Sequence, residues 1–240
     1  MPFASSQTAH LVAGPTASGK SDYAIELAHS LGNAPIINAD SMQLYRDLSI
    51  LTARPSLDEQ NNIPHYMLGN IDGATHYSVG QWLEAVKILL QTSLRDEKHI
   101  IFVGGTGLYF QCALKGIAPI PHVPFEYVQQ LEAKWDEGEE EVQALIIRAK
   151  QVDPDFTTRL KVLDKQRIIR ALCVFDISGK PLSYWQSQPH HNIILQDFTI
   201  KPHLLLPQRE ALYQRINERF EKMMEQGAEE EVNPLKSSLT

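Results

Sequence analysis

The chain has little of what marks a disulfide-stapled, membrane-embedded or disordered protein. It carries 2 cysteines, Cys112 and Cys173. They have neither C-x-x-C spacing nor the even set of four or more that a disulfide framework or a zinc site needs. The longest apolar runs, such as Ile100–Val103 and Leu204–Pro207, fall far short of the ~18 residues of a membrane span. Met1 to Ser6 holds no basic residue and no apolar stretch follows it, so no secretory leader is expected. The histidines, His65 and the pair His190–His191 among them, lack metal-ligand spacing. Positive charge is in deficit too: a net charge of −7 excludes holding nucleic acid by global charge, while leaving room for a local basic groove. A protein of the reducing cytoplasm, with no membrane partner, is the expectation.

What is present is globular composition, 43% hydrophobic and 21% charged over 240 residues. At ~150 residues per domain that length allows one to two domains. His10–Gly14 reads as a short buried strand, and a helical pattern runs from about Gly19 to Leu31. Pro35–Asp40 reads as a second strand, and this βαβ order implies a parallel sheet. Residues 52–78 look irregular, Val79–Leu94 is an amphipathic helix, and His99–Val103 is a third strand. The prolines of Pro119–Pro124 mark a domain boundary. Helical patterns without strands follow from Phe125 to Gln188, the clearest at Asp164–Ile177, and Asn192–Ile200 returns to a β-like run. A last helix from about Pro207 carries Leu212, Ile216, Phe220 and Met223 on one stripe until Gly227. The fold class expected is α/β: a core of residues 1–118, a helical insertion at 119–191, and a return to the core at 192–240. Charge is segregated as well, with six bases against two acids from Arg159 to Lys180, and seven acids against three bases from Glu126 to Lys150.

The most specific motif is Gly14-Pro15-Thr16-Ala17-Ser18-Gly19-Lys20-Ser21, a G-x-x-x-x-G-K-[ST] phosphate loop. Its backbone N–H groups gather into one concavity at the positive end of the next helix, Lys20 adds a full charge, and the Ser21 hydroxyl is placed to hold Mg²⁺. Asp40 ends the second strand. Ligands of parallel sheets bind beyond the carboxyl ends of strands, so Asp40 should face the same crevice, where a carboxylate can bind Mg²⁺, take a proton, or only cap a turn. Gly104-Gly105-Thr106-Gly107 ends the third strand and brings small backbone and one hydroxyl to that edge. Arg215 and Arg219 are four apart on the last helix. On spacing alone, Glu218 and Glu221 are their nearer partners on a solvated face. Gln166-Arg167-Ile168-Ile169-Arg170 places amide and guanidinium groups that can read phosphates or base edges, and a surface helix explains them almost as well.

Taken together, GPTASGKS at 14–21, NADSMQLY at 38–45, Thr52–Pro55, VGGTGLYF at 103–110, VDPDF at 152–156, QRIIRAL at 166–172, FDISGKPLS at 175–183 and QRINERF at 214–220 resemble the tRNA dimethylallyltransferases, or tRNA isopentenyltransferases, in that family's order. The resemblance implies a core like that of the P-loop NTPases with a helical insertion, and transfer of a dimethylallyl group from its diphosphate to N6 of the adenosine just 3′ of the anticodon. In that reading Gly14 to Ser21 bind the diphosphate, an ATP-type loop reused for a prenyl donor, with Mg²⁺ near Ser21. Asp40 takes the N6 proton, and Thr106 and Arg219 flank the reacting centre. Asp40, Ser41, Met42, Gln43 and Thr106, with Gln166, Arg167, Ile168, Ile169 and Arg170, contact the anticodon stem-loop, whose target base is flipped out. The resemblance also implies a Gly-Tyr-rich segment and a basic helix beyond Thr240, which this sequence lacks. A monomer is expected. Two other readings share the core, a small-molecule P-loop kinase and an isopentenyltransferase acting on free adenine nucleotides. A non-enzymatic RNA-binding protein would not need Lys20 and Asp40 together.

Overall fold

A computed structural model describes residues 7–160 and 164–238, with side chains as far as Asn233. Lys161 of the basic run, Met1 to Ser6, and Leu239–Thr240 lie outside the described residues. Residues up to Gly116, together with those from Asn192 onward, form one compact unit, and Ile117–His191 form a second.

The first unit is built on a five-stranded sheet of β1 (Thr8–Ala13), β2 (Ile36–Asn38), β3 (His65–Tyr66), β4 (His99–Gly104) and β5 (Thr199–Leu204), in the spatial order β3-β2-β4-β1-β5. Every pairing is parallel, with Thr8 level with His99 and Thr199, and Ile37 level with Phe102 and Tyr66. Ala9, Leu11, Val12, Ile36, Ile37, Ile100, Ile101 and Phe102 are buried, the continuous apolar runs of strands covered on both faces. Before the insertion the helices of this unit are α1 (Lys20–Ser30), α2 (Val79–Gln91) and α3 (Gly107–Lys115). Ser78 starts α2 with a capping box, its side chain accepting from the Gln81 N–H while Gln81 reaches back to the Ser78 N–H. Because all strands run one way, the turns after β1, β2 and β4 emerge on a single edge.

Two stretches differ from expectation. The irregular 52–78 segment contains β3, whose two residues pair with β2. The β-like run at 192–200 is mostly a turn: Ile194, Leu195 and Phe198 are buried, but through a reverse turn closed by the Phe198 N–H on the Leu195 carbonyl and docked by the Leu195 N–H on the Ala113 carbonyl. The strand follows as β5, where Lys201 and Pro202 interrupt the apolar pattern that sequence reading relies on.

The second unit holds five helices among the described residues: α4 (Phe125–Asp136), α5 (Glu139–Val152), α6 (Pro154–Arg159), α7 (Lys165–Ser178) and α8 (Leu182–Gln186). Leu131, Leu145, Ala149, Phe156, Ile168, Ile169, Leu172 and Leu182 form its core. Asp153 is buried and fully engaged, its carboxylate accepting from Phe156 N–H at 3.0 Å and Ser183 N–H at 2.8 Å, which ties α6 to α8. Asp176 accepts from Tyr127 Oη at 2.7 Å and pairs with Arg148 across α4, α5 and α7. Carrying on from β5, α9 (Arg209–Glu225) and α10 (Ala228–Ser238) belong to the first unit. The expected apolar stripe of α9 is not a core face: Phe220 is 61% exposed and no residue of α9 is fully buried.

Across the sheet runs a chain of imidazoles. Tyr23 Oη lies 2.7 Å from His203 Nδ1, His203 Nε2 lies 3.1 Å from His10 Nδ1, and His10 Nε2 lies 3.3 Å from His99 Nδ1. Neutral rings satisfy every contact when Tyr23 donates to His203, His203 to His10 and His10 to His99. Burial, then His203, His99 and Lys201, lower the His10 pKa to about 4. The unfolded chain therefore binds one more proton than the folded one between about pH 4 and 6.5, so stability rises with pH through that window and is complete above it. Between pH 7 and pH 5 this group should remove about 2 kcal/mol. Urea unfolding should show that loss in the wild type and a flatter pH dependence in His10→Gln.

Gly104 lies where β4 crosses the end of β2. A methyl group on it would sit 2.1 Å from the Ala39 carbonyl oxygen and 2.7 Å from the Asp40 nitrogen, both backbone. Gly107, three residues on, has open space. Gly104→Ala should cost about 2–3 kcal/mol in urea unfolding, whereas Gly107→Ala should stay within about 0.5 kcal/mol.

Candidate active site

The three turns on the carboxyl edge of the sheet, joined by the segment Ser49–Pro55 and one face of α9, enclose an open cleft of about 1740 Å³ within the first unit. Gly14 to Ser21 form its floor. The phosphate loop closes with the Ser18 N–H on the Pro15 carbonyl, and Gly19 starts α1 with φ +82°, a left-handed conformation that glycine takes without strain. The Lys20 ammonium folds back onto the Pro15 carbonyl at 2.6 Å. Ser18 Oγ, within the loop, is buried with no hydrogen-bond partner.

Asp40 stands two residues past β2, held there by Asn38. The Asn38 amide donates to the Asp40 and Met67 carbonyls at 2.8 and 2.9 Å, and its oxygen accepts from the Asp40 N–H. Behind it, Trp82 Nε1 donates to the Asn38 carbonyl at 3.1 Å and the indole stacks on Tyr109 at 4.5 Å. The capping role that sequence left open is real, since Asp40 Oδ1 accepts from the Met42 N–H at 3.0 Å. It does not exhaust the carboxylate, whose charge also acts on two of the cleft's cations, Lys20 and Arg219. Burial lowers the pKa of Lys20, with Asp40 opposing that and Arg219 reinforcing it; burial lowers that of Arg219 against the same Asp40. Two partly desolvated cations and one carboxylate thus share a cleft, an arrangement that favours a bound anion.

Thr106 begins α3, but its hydroxyl is spent on the neighbouring turn: it accepts from the Ser41 N–H at 3.0 Å and lies 3.3 Å from Ser41 Oγ. Gln43 Nε2 donates to the Thr52 and Ala53 carbonyls, both at 3.1 Å. Arg219 departs from the expectation for α9. Rather than pairing with a neighbouring glutamate, it reaches Thr16 Oγ1 at 3.5 Å and the Thr52 carbonyl at 3.2 Å, while Glu218 accepts from Gln214. Arg215, Lys222 and Met223 line the same cleft, Met223 alone of the expected apolar stripe.

In the second unit, Ile168 and Ile169 are 2% and 1% exposed and belong to its core, so direct contact with a nucleic acid is not available to those side chains. Gln166, Arg167 and Arg170 stand on the exposed side of α7. Sequence reading missed the Ser49–Arg54 segment as a wall of the cleft, and with it Glu231, which binds that segment from α10. Only the Thr-Ala-Arg-Pro match at 52–55 pointed there.

The IPP transferase family profile matches residues 43–239. The tRNA dimethylallyltransferase of Azorhizobium caulinodans is 44% identical over 226 residues, 94% of this chain and 71% of that protein. That of Bartonella quintana is 46% identical over 96% of this chain and 76% of its own length. Among solved structures, the tRNA isopentenylpyrophosphate transferase of Bacillus halodurans aligns with a TM-score of 0.60 at 27% identity, covering 97% of this chain and 71% of that one. A eukaryotic dimethylallyltransferase acting on tRNA aligns at 0.75 and 26% identity, covering 98% of this chain and 57% of that one. A phosphate loop, a carboxylate and an arginine from α9 meeting at one sheet edge, in a chain matched along most of its length, make this protein a member of the IPP transferase family.

Proposed function

We propose that the protein transfers a dimethylallyl group from dimethylallyl diphosphate to N6 of the adenosine 3′ of the anticodon in tRNA. The observation that carries this reading is the convergence of Lys20, Arg219 and Asp40 on one cleft of a chain whose relatives are named for tRNA prenylation. Gly14 to Ser21 bind the diphosphate through backbone N–H groups, Lys20 and the Thr16 and Ser21 hydroxyls. The Ser21 hydroxyl supplies a hard oxygen ligand suited to Mg²⁺. Among the described residues no group of three or more His, Cys, Asp or Glu is placed to hold a metal ion; Mg²⁺ typically takes one or two protein oxygens and completes its shell with phosphate and water. When bound, the ion neutralises charge on the diphosphate.

The adenine N6 lone pair attacks the allylic carbon as the carbon–oxygen bond to the diphosphate breaks. The diphosphate leaves with the bonding electrons, and Asp40 receives the N6 proton. Arg219, held by Thr16 and Thr52, meets the charge that develops on the leaving group. Thr106 acts by fixing Ser41, and so the turn that carries Asp40. In the insertion, residues 119–191, exposed Gln166, Arg167 and Arg170 contact the tRNA. Asp40 to Gln43 contribute on the core side. Every residue invoked comes from one chain, so a monomer suffices. No helix among the described residues is long and apolar enough to cross a membrane, in keeping with work on tRNA in the cytoplasm.

Labelled dimethylallyl diphosphate offered with tRNA, with AMP or with no acceptor tests the reading. Label should appear in a prenylated adenosine of tRNA; label on AMP alone, or on neither acceptor, overturns it. Asp40→Asn should lower turnover ~10²–10⁴-fold while donor and tRNA still bind. More than about a hundredth of wild-type turnover at saturation would remove Asp40 as the base, given the lower edge of that range. Arg167→Ala should weaken tRNA binding and reduce the slope of log affinity against log salt by about one unit, with donor binding unchanged. An unaltered slope would mean that Arg167 contacts no phosphate.

A further inference from the structure

The cleft wall at Ser49–Leu51 is held by one carboxylate 180 to 182 residues away in sequence. Glu231 Oε1 accepts from the Ser49 N–H at 2.6 Å, the Ser49 hydroxyl at 2.7 Å and the Ile50 N–H at 2.8 Å; Oε2 accepts from the Leu51 N–H at 2.9 Å. Three successive backbone donors on one ionised group form an anion nest, here filled by the protein's own side chain. Burial pushes the Glu231 pKa up, and the hydrogen bonds from Leu51, Ile50 and Ser49 outweigh it, so the net shift is downward.

The clamped turn continues directly into groups that face the phosphate loop. Ala53 N–H bonds the Ile50 carbonyl and Arg54 N–H the Ser49 carbonyl, closing a compact turn in which Ala53 takes φ +45°. A residue with a Cβ in that region is strained and persists only where its surroundings hold it. The turn presents the Thr52 carbonyl, which accepts from Arg219 Nη2 and from Gln43. We propose that Glu231 is a positioning residue of the active site: by clamping Ser49–Leu51 it fixes the Thr52 carbonyl, which aims the Arg219 guanidinium at the diphosphate. The proposal rests on the prenyl-transfer reading for its catalytic consequence, and on the hydrogen bonds alone for its structural one.

Glu231→Gln keeps size and removes charge, leaving an amide N–H₂ against one of the four donors. Amide hydrogen exchange at Ser49, Ile50 and Leu51 should quicken at least tenfold with little change at α1 or β1. With dimethylallyl diphosphate and tRNA, kcat should fall about 10–100-fold while KM for the diphosphate moves less than about threefold, because the interaction lost is one made with developing charge. In an Arg219→Ala background the same substitution should change kcat less than twofold, since the group it positions is already gone. Ser49→Ala, which removes one of the four bonds, should show a smaller effect in the same direction. Multiplicative losses in the double variant, or unchanged exchange at Ser49–Leu51, overturn the proposal. A wild-type enzyme that prenylates no tRNA would instead overturn the functional reading, and the exchange measurement would still decide the clamp.

Discussion

Between Gly104 and the Ala39 peptide there is no space for a methyl group, and the reacting end of the sheet is built on that contact. It brings the last residue of β4 against the chain just past β2. The Thr106 N–H then reaches the Ala39 carbonyl at 3.2 Å, and the Thr106 hydroxyl reaches Ser41. Asp40 is thereby held from both sides, by Asn38 within its own strand and by the turn after β4. The parallel register of β1 with β4 places the phosphate loop beside this pair, from Thr8 against His99 to Ala13 against Gly104. A side chain at 104 would part β2 from β4 at the point where the carboxylate and the loop must face each other.

The electrostatics follow from that placement. The chain carries a net charge of −7, so attraction for an anionic substrate cannot come from the molecule as a whole. It comes from two cations fixed within reach of one carboxylate and from backbone N–H groups at the start of α1, which require no reorganisation when charge develops. Burial alone disfavours Lys20 and Arg219 in their charged forms, and Asp40 offsets part of that cost. A diphosphate would offset more of it, so a bound anion stabilises both cations in their charged forms.

How much of this was legible depends on sequence distance. The phosphate loop is a local motif whose residues all lie between Gly14 and Ser21, and its strand and helix can be read on either side of it. Asp40 and Gly104–Gly107 were legible as strand ends because parallel topology sends every strand end to one edge. Arg219 was not decidable, since its choice between Glu218 one residue away and Thr16 at the far end of the chain is made by tertiary packing. Glu231 left no local signal: in an acidic run, Glu229-Glu230-Glu231, it resembles any solvated helix start. The same limit applies in the insertion, where QRIIR is one motif in sequence but helical geometry divides it. Ile168 and Ile169 turn to the core, and Gln166, Arg167 and Arg170 turn to solvent.

Two alanines with left-handed backbone belong to opposite walls of the cleft, Ala17 at φ +57° in the phosphate loop and Ala53 at φ +45° in the facing turn. Each costs about 1–2 kcal/mol relative to a relaxed conformation. Gln43 and Arg219 bind the carbonyls beside Ala53, while the Ser18 N–H closes the loop around Ala17 onto the Pro15 carbonyl. Strain concentrated on the walls of a cleft and sustained by long-range hydrogen bonds is the condition under which binding groups stay aimed before a ligand arrives. The groups that hold charge are therefore fixed by hydrogen bonds between residues that sequence separates by up to 203 positions. In the proposed arrangement a substitution at Glu231 reaches the phosphate loop through that route, by way of the Thr52 carbonyl and Arg219.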